Sequence, residues 1–285
     1  MMAIQDKREN VFCNNEYGAL KKVILCEPKY MAIREIINET QKHYNNRQID
    51  HHLAEEQHLQ FITSLRECGV EVFVIPPKKE YPEQVFTRDI GFTIGHQVCV
   101  SKMARTIRQG EEIELKNSLT HHQLPYLDIQ EGRIEGGDVM IDGITVYVGV
   151  SSRTNKQAIS FLKNALPDYH IVPIPFQDQY LHLDCVFNIL SKEEALYFPQ
   201  AFDENTIALL KEKYNLIEVT EDEQFTLGTN VLSIGGKRLF SLPVNQKVNQ
   251  QLRKKGYTVI EIDLSEIIKS GGSFRCCTLP ILRRE

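Results

Sequence analysis

The chain has 285 residues, 42% of them hydrophobic, and a formal net charge of −5. That length can bury a substantial core, and an acidic balance without a basic patch argues against nucleic acid as a main partner. No apolar run reaches the roughly 18 residues that a membrane span needs, and the polar N-terminal "MMAIQDKRENVFCNN" has no apolar signal-peptide stretch, so the expected location is the cytoplasm.

In chain order, the first unit opens with the strand "GALKKVILCEP". The segment "KYMAIREIINETQKHYNNRQID" then separates it from a helix with Leu59, Ile62 and Leu65 on one face. This connection is longer than an ordinary loop and is expected to lie over the mouth of a site as a lid. The helix stops at Gly69 and leads into "VEVFVIPP". The second unit opens with "DIGFTIGHQVCVSKM", two short strands around Gly95-His96. The third has "GGDVMIDGITVYVGV" around Asp142-Gly143, a strong hairpin signal. It continues with a helix carrying Ile159 and Leu162 and then "HIVPIPF". The fourth has "HLDCVFNILSKEEALYFP", a hairpin around Ser191–Glu194, a helix with Ile207, Leu210 and Tyr214, and "NLIEVT". The fifth has "TNVLSIGGKRLFSLP" around Gly235-Gly236, a helix with Val248 and Leu252, a Gly256 stop, and "YTVIEIDL".

Five units of hairpin, helix and strand cannot bury their faces alone and must stack. The expected fold is α/β: a five-bladed, pseudo-symmetric α/β propeller, with residues 1–285 as a single domain. A doubly wound α/β sheet is the alternative, and the hairpin before each helix argues against it. A polar residue stands just before or within each first strand: Asp89, Glu135, His182, Asn230 and Cys276, at steps of 46, 47, 48 and 46 residues. Rotation about one axis would bring these positions together at one end of it. Cys276 then completes a ring of polar groups, and strand alternation turns Cys277 away into packing. Asn230 is read as holding a turn.

The seven cysteines are odd in number and irregular in spacing, with no C-x-x-C, and read as reduced thiols. A disulfide between Cys276 and Cys277 would strain the peptide that joins them. Cys26, Cys68, Cys99 and Cys185 are read as packing. His51, His52, His58, His121 and His122 are read as surface or satisfied core rather than a metal site.

The segments "FTRD", "EGGD", "HLD" and "GGSFRCCT" resemble, in that order, the signatures of the guanidine-modifying enzymes of the pentein fold. Those are the arginine deiminases, dimethylarginine dimethylaminohydrolases and amidinotransferases. The resemblance runs from "YGALKKVIL" to "CCTLP". Length and "VGVSSRTN" look most like the dimethylarginine dimethylaminohydrolases. "FTRD" and "HLD" look more like arginine deiminases, and "GGSFRC" with "LRR" like amidinotransferases. The position of Asp184 is a lysine in the first group and a guanidinium-clamping aspartate in the other two.

The resemblance implies a hydrolase that attacks the guanidinium carbon of arginine or a methylated arginine. Cys276 would be the nucleophile through a covalent thiouronium. His182 would be the acid and then the base, with Glu135 orienting it. Asp89 and Asp184 would accept paired N–H bonds from the guanidinium. Arg153, with Arg108 as a second candidate, would hold a substrate carboxylate. No metal or other cofactor is expected. The partner is a small guanidino compound, and a homodimer is left open. The rival readings are an amidinotransferase, a non-catalytic binding protein on the same propeller, and a Cys-His protease or amidase. A protease would have no use for two aspartates aimed at a cation.

Overall fold

Three-stranded sheets recur five times along the chain, and each combines an antiparallel pair with one parallel neighbour. The structure is a computed structural model that describes residues 10–285; residues 1–9 of the polar N-terminal stretch lie outside the described residues. The first unit carries β1 (Ala19–Cys26), α1 (Glu39–Tyr44), α2 (His51–Glu67) and β2 (Glu71–Ile75). The second carries β3 (Gly91–Ile94), β4 (Gln97–Val100), α3 (Glu111–His121) and β5 (Tyr126–Asp128). The third carries β6 (Val139–Asp142), β7 (Thr145–Val150), α4 (Lys156–Ala165) and β8 (His170–Pro175). The fourth carries β9 (Phe187–Ile189), β10 (Glu194–Tyr197), α5 (Glu204–Lys213) and β11 (Asn215–Glu218). A short helix α6 (Glu221–Phe225) leads to the fifth, with β12 (Leu232–Gly235), β13 (Arg238–Ser241), α7 (Gln246–Lys254) and β14 (Thr258–Glu261). The chain ends with β15 (Leu279–Arg284).

The first sheet has the order β15-β1-β2. Its antiparallel partner therefore comes from the far end of the chain, with Ala19 opposite Arg284 and Ile24 opposite Leu279. This closure makes Cys276 the residue before the first strand of the first sheet, equivalent to Asp89 before β3. The fold is the expected five-bladed α/β propeller.

Local chemistry explains the hairpins. Between β6 and β7, Asp142 pairs with Thr145, so Gly143 and Ile144 form the turn, and Gly143 takes φ +64°. Between β12 and β13, Gly236 and Lys237 both have positive φ, the requirement of a type I′ turn. Both turns sit one residue later than the sequence pattern implied.

The helices bury the expected faces with one exception. Leu59 is 60% exposed. The buried stripe of α2 is Ala54, His58, Phe61, Ile62 and Leu65. Fours and threes alternate along Ala54, His58, Phe61 and Leu65 and keep one face, whereas the run of threes from Leu65 through Ile62 to Leu59 drifts off it. Phe61 meets Phe240 and Phe274 edge-on, at centroid distances of 5.3 and 5.1 Å. Burying each such ring stabilises the fold by about 1.5–3 kcal/mol. Phe274 lies just before Cys276, so this aromatic cluster also anchors the loop that presents the thiol. Among the described residues, no helix is long and apolar enough to cross a membrane.

Candidate active site

The five ring residues converge at the starts of the five sheets, and none is more than 2% exposed. Backbone bonds tie neighbouring units together there. Arg88 N donates to Cys276 O at 3.0 Å, Gly136 N to Asp89 O at 3.1 Å, and Arg275 N to Asn230 O at 3.3 Å.

One half of the ring is an imidazole between carboxylates. His182 Nε2 lies 2.7 Å from Glu135 Oε2, and Nδ1 lies 3.5 Å from Asp89 Oδ1. Burial alone would push the His182 pKa down; Asp89, Glu135 and Asp138 outweigh it and carry it up to about 10. Burial likewise opposes ionisation of Glu135, but His182, Arg153 and Arg108 hold its carboxyl down at about 2. The ring therefore holds an imidazolium and a carboxylate at neutral pH. The Gly137 of "EGGD" makes room for them. A Cβ there would lie 2.7 Å from His182 Nδ1 and 3.0 Å from Asp89 Oδ1. Those two buried atoms have no hydrogen-bond partner, so an acceptor and a ring nitrogen remain free for a ligand.

The other half surrounds the thiol. Asn230 Nδ2 lies 3.1 Å from Cys276 Sγ, and Cys276 N donates to Asn230 Oδ1 at 3.1 Å. Asn230 does more than hold a turn: its carboxamide grips the nucleophile candidate through both side chain and backbone. Asp184 places its carboxylate oxygens 3.8 and 3.9 Å from Cys276 Sγ. Burial pushes the Asp184 pKa up, and Arg275 and His182 oppose it. His182 and Asp184 do share the ring face, but not by strand alternation, because Leu183–Cys185 is a 3-10 turn. Cys277 likewise sits in a turn before β15. It is fully buried in the apolar core, and its pKa is pushed up by burial and by Cys276.

Both predicted arginines reach the ring, where they pair with its carboxylates. Arg153 Nη1 pairs with Glu135 at 3.1 Å, and Nη2 donates to Ile37 O at 2.8 Å. Arg108 pairs with Asp89 and, at 2.8 Å, with Glu111. A buried guanidinium needs a counter-charge, and the nearest carboxylates belong to the ring itself. Arg153 keeps its Nε without a partner and lines a cavity of about 220 Å³ with Arg105, Asp178 and Ser152.

Sequence reasoning missed the buried base of the site. Glu16 takes Arg275 at 2.6 Å and Arg88 at 3.1 Å, and Ile141 N donates to it as well. These two arginines flank Asp89 and Cys276 in the chain, so one carboxylate fixes both motif loops. Burial works against ionising Glu16, yet the two guanidinium groups hold it well below the usual range. Arg88 in "FTRD" and Arg275 before Cys276 were the available signals.

The long first connection packs against residues that adjoin the ring, and its Ile37 O accepts from Arg153. Asn38 Nδ2 donates to Ser270 O at 3.0 Å, Gln41 Nε2 donates to Glu83 at 2.7 Å, and His43 meets Phe225 of α6 edge-on at 5.0 Å. Beneath its edge lies a cavity of about 750 Å³ bordered by Glu39, Tyr180, Leu181, Cys185, Asp222 and Phe225. Ligand atoms of Asp89, Glu135 and His182 lie within 4.8 Å of one another, as metal ligands would. Glu135 is already paired with His182 and Arg153, and Asp89 Oδ2 with Arg108, so among these ligand atoms only Asp89 Oδ1 and His182 Nδ1 stay open.

A five-unit ring with Cys, His and carboxylates on its axis is the arrangement of the guanidine-modifying pentein superfamily, whose members include amidino hydrolases and amidinotransferases. A family model described as "N,N dimethylarginine dimethylhydrolase, eukaryotic" matches residues 27–283, and the chain belongs to that family. It is 53% identical over 284 residues to the uncharacterised protein YkgA of Bacillus subtilis, covering 100% of this chain and 99% of that one. It is 26% identical to the N(G),N(G)-dimethylarginine dimethylaminohydrolase of Pseudomonas aeruginosa, covering 81% of this chain and 89% of that one. The N-terminal domain of ArgZ, a cyanobacterial arginine dihydrolase crystallised with product, superposes with a TM-score of 0.84 at 24% identity. That match covers 92% of this chain and 97% of that one, and it shows a shared fold.

Proposed function

We propose that this protein is an amidino hydrolase that converts a guanidino compound of the arginine type to its ureido product through a Cys276 thiouronium. The observation that carries the reading is the thiol of Cys276 beside the Asp184 carboxylate, in the same buried ring as the His182–Glu135 pair. The substrate guanidinium would lie between Asp184 and the free Oδ1 of Asp89, which accept its N–H groups. The Cys276 thiolate adds to the guanidinium carbon. His182 gives its proton to the departing nitrogen, which leaves as ammonia or an alkylamine. Neutral His182 then takes a proton from water as the water adds to the thiouronium carbon. Collapse of that adduct forms the C=O bond, breaks the C–S bond and restores the thiolate. The hydroxyl proton passes to solvent, where the released ammonia or alkylamine takes it up as the ureido product leaves. The carboxylate of an amino-acid substrate would meet Arg153 and Arg105 in the smaller cavity.

Asp184 bears on which guanidine is cut. Two methyl groups on one nitrogen remove both of its N–H donors and leave a desolvated acceptor unpaired, at a cost of about 1–3 kcal/mol or more. The wild type should therefore prefer arginine or monomethylarginine to asymmetric dimethylarginine, and Asp184→Lys should narrow or reverse that preference. The 750 Å³ cavity supports a second reading. Its wall carries Glu39, Glu221 and Asp222, and would suit an amine that accepts the amidino group.

Product identification after incubation with arginine and its methylated forms, with and without glycine or another amine, tests the proposal. Ureido product with free ammonia or methylamine supports the hydrolase; a new guanidino compound supports the transferase. Cys276→Ser should lose nearly all turnover, whereas Cys277→Ser should keep most of it. An adduct mapped to Cys277, or a wild type that hydrolyses only the dimethylated compound, would overturn the assignment.

A further inference from the structure

Cys185 was read as packing, but its surroundings are unlike those of the other buried thiols. It closes the 3-10 turn that follows His182 and is 3% exposed. Its Sγ lies 3.7 Å from Asp184 Oδ1, and Cys276 Sγ lies 3.9 Å from the same oxygen. The two thiols therefore flank one and the same carboxylate oxygen. Cys185 also borders the 750 Å³ cavity, so a small polar solute that enters there reaches the Cys185 side of the pair. Among the described residues, no other cysteine combines these features. Cys277 is fully buried in the core, Cys13 contacts Pro280 O, and Cys99 belongs to a separate apolar cluster.

We propose that Cys185 and Cys276 form a reversible disulfide, a redox modification site at which a peroxide switches the nucleophile off. The step balances as one two-electron oxidation. Cys276 Sγ attacks one oxygen of hydrogen peroxide, the O–O bond breaks, and a sulfenic acid and one water result. Cys185 Sγ then attacks the sulfenic sulfur, and its proton leaves with the departing hydroxide as a second water. Two thiols are oxidised to one disulfide and one peroxide is reduced to two waters. The geometry needs the two sulfurs to close across Asp184 Oδ1, the oxygen that both already approach, for the side chains to reach disulfide geometry. Asp184 also favours this order. Together with the Cys276 contact and burial, its charge raises the Cys185 pKa well above the ordinary thiol range, so Cys185 stays protonated as the resolving partner. Loss of activity on oxidation rests on the proposed role of Cys276; formation of the bond does not.

The test oxidises the full chain with hydrogen peroxide, blocks free thiols, and maps tryptic peptides without reduction. The expected product joins the peptide 164–192, which carries Cys185, to the peptide 276–283, which carries Cys276 and Cys277, with fragmentation placing the link on Cys276. The same link should form in Cys277→Ser. Activity should fall in step with the link, and dithiothreitol should restore most of it. In Cys185→Ser, with activity expressed relative to the untreated variant, Cys276 should run on to sulfinic acid and dithiothreitol should restore little. A link confined to Cys276 and Cys277, no link at all in the wild type, or equal recovery in Cys185→Ser would overturn the proposal. A link that forms with full activity retained would support the disulfide site and instead count against Cys276 as the nucleophile.

Discussion

The substitution Glu135→Gln separates the electrostatics of the ring from its shape. Gln is nearly isosteric and its amide oxygen can still accept from His182. What it removes is the charge that faces His182 Nε2 at 2.7 Å and Arg153 Nη1 at 3.1 Å. Carrying the His182 pKa from 6.5 to about 10 corresponds to roughly 5 kcal/mol at about 1.4 kcal/mol per tenfold, shared among Asp89, Glu135 and Asp138. Breaking a buried ion pair costs about 3–5 kcal/mol, and the retained hydrogen bond places this change near the lower end. The raised His182 pKa contributes stability that is fully present below pH 6.5 and lost as pH rises through about 10. The lowered Glu135 pKa contributes stability that is fully present above pH 4.5 and lost as pH falls through about 2. The pair therefore contributes fully between 4.5 and 6.5, and Glu135→Gln should destabilise most in that window. Urea unfolding across pH reads this directly. The alkaline limb of kcat/KM should move toward neutrality in the variant, and kcat should fall by roughly 10²–10⁴ fold, the usual worth of a positioned general acid. An unchanged alkaline limb together with unchanged stability near pH 5.5 would refute the reasoning.

Arg153→Ala should lower kcat/KM for arginine by roughly ten- to a hundredfold, the worth of a charge-assisted bond of about 1.5–3 kcal/mol. Agmatine, which lacks the carboxylate, should lose less, and equal losses in steady-state assays of the two would argue for a role through Glu135 alone. Gly137→Ala places a methyl 2.7 Å from His182 Nδ1. It should cost about 1–3 kcal/mol in thermal or urea unfolding, with a far larger fall in kcat as the imidazole leaves Glu135. Burial raises the Glu83 pKa to about 8, so its contribution to stability is present below pH 4.5 and lost as pH rises through about 8. Glu83→Gln, which keeps an acceptor for Gln41, should flatten the decline in unfolding midpoint across that range.

Much of the architecture follows from local sequence. Hairpin turns are set within a few residues by positions that tolerate positive φ, as at Gly143 and Gly236. Helices are set by three-and-four spacing, and the near-constant step of 46–48 residues names the ring members without any knowledge of contacts. The Glu135–His182 pairing was legible for the same reason, since the ring makes neighbouring units meet. Tertiary structure decided the partners of everything else. Arg108 finds a local partner in Glu111, three residues on, but its pairing with Asp89 and that of Arg153 with Glu135 form only when each unit's hairpin folds back on its opening residue, and closure of the propeller acts over longer range still. The same closure brought β15 to β1 and set Glu16 between Arg88 and Arg275. It also turned Asn230 onto Cys276 and set the Cys185 and Cys276 thiols on one Asp184 oxygen. Backbone preferences act over a few bonds, whereas these contacts join residues tens to hundreds of positions apart, and their geometry exists only once the ring has closed.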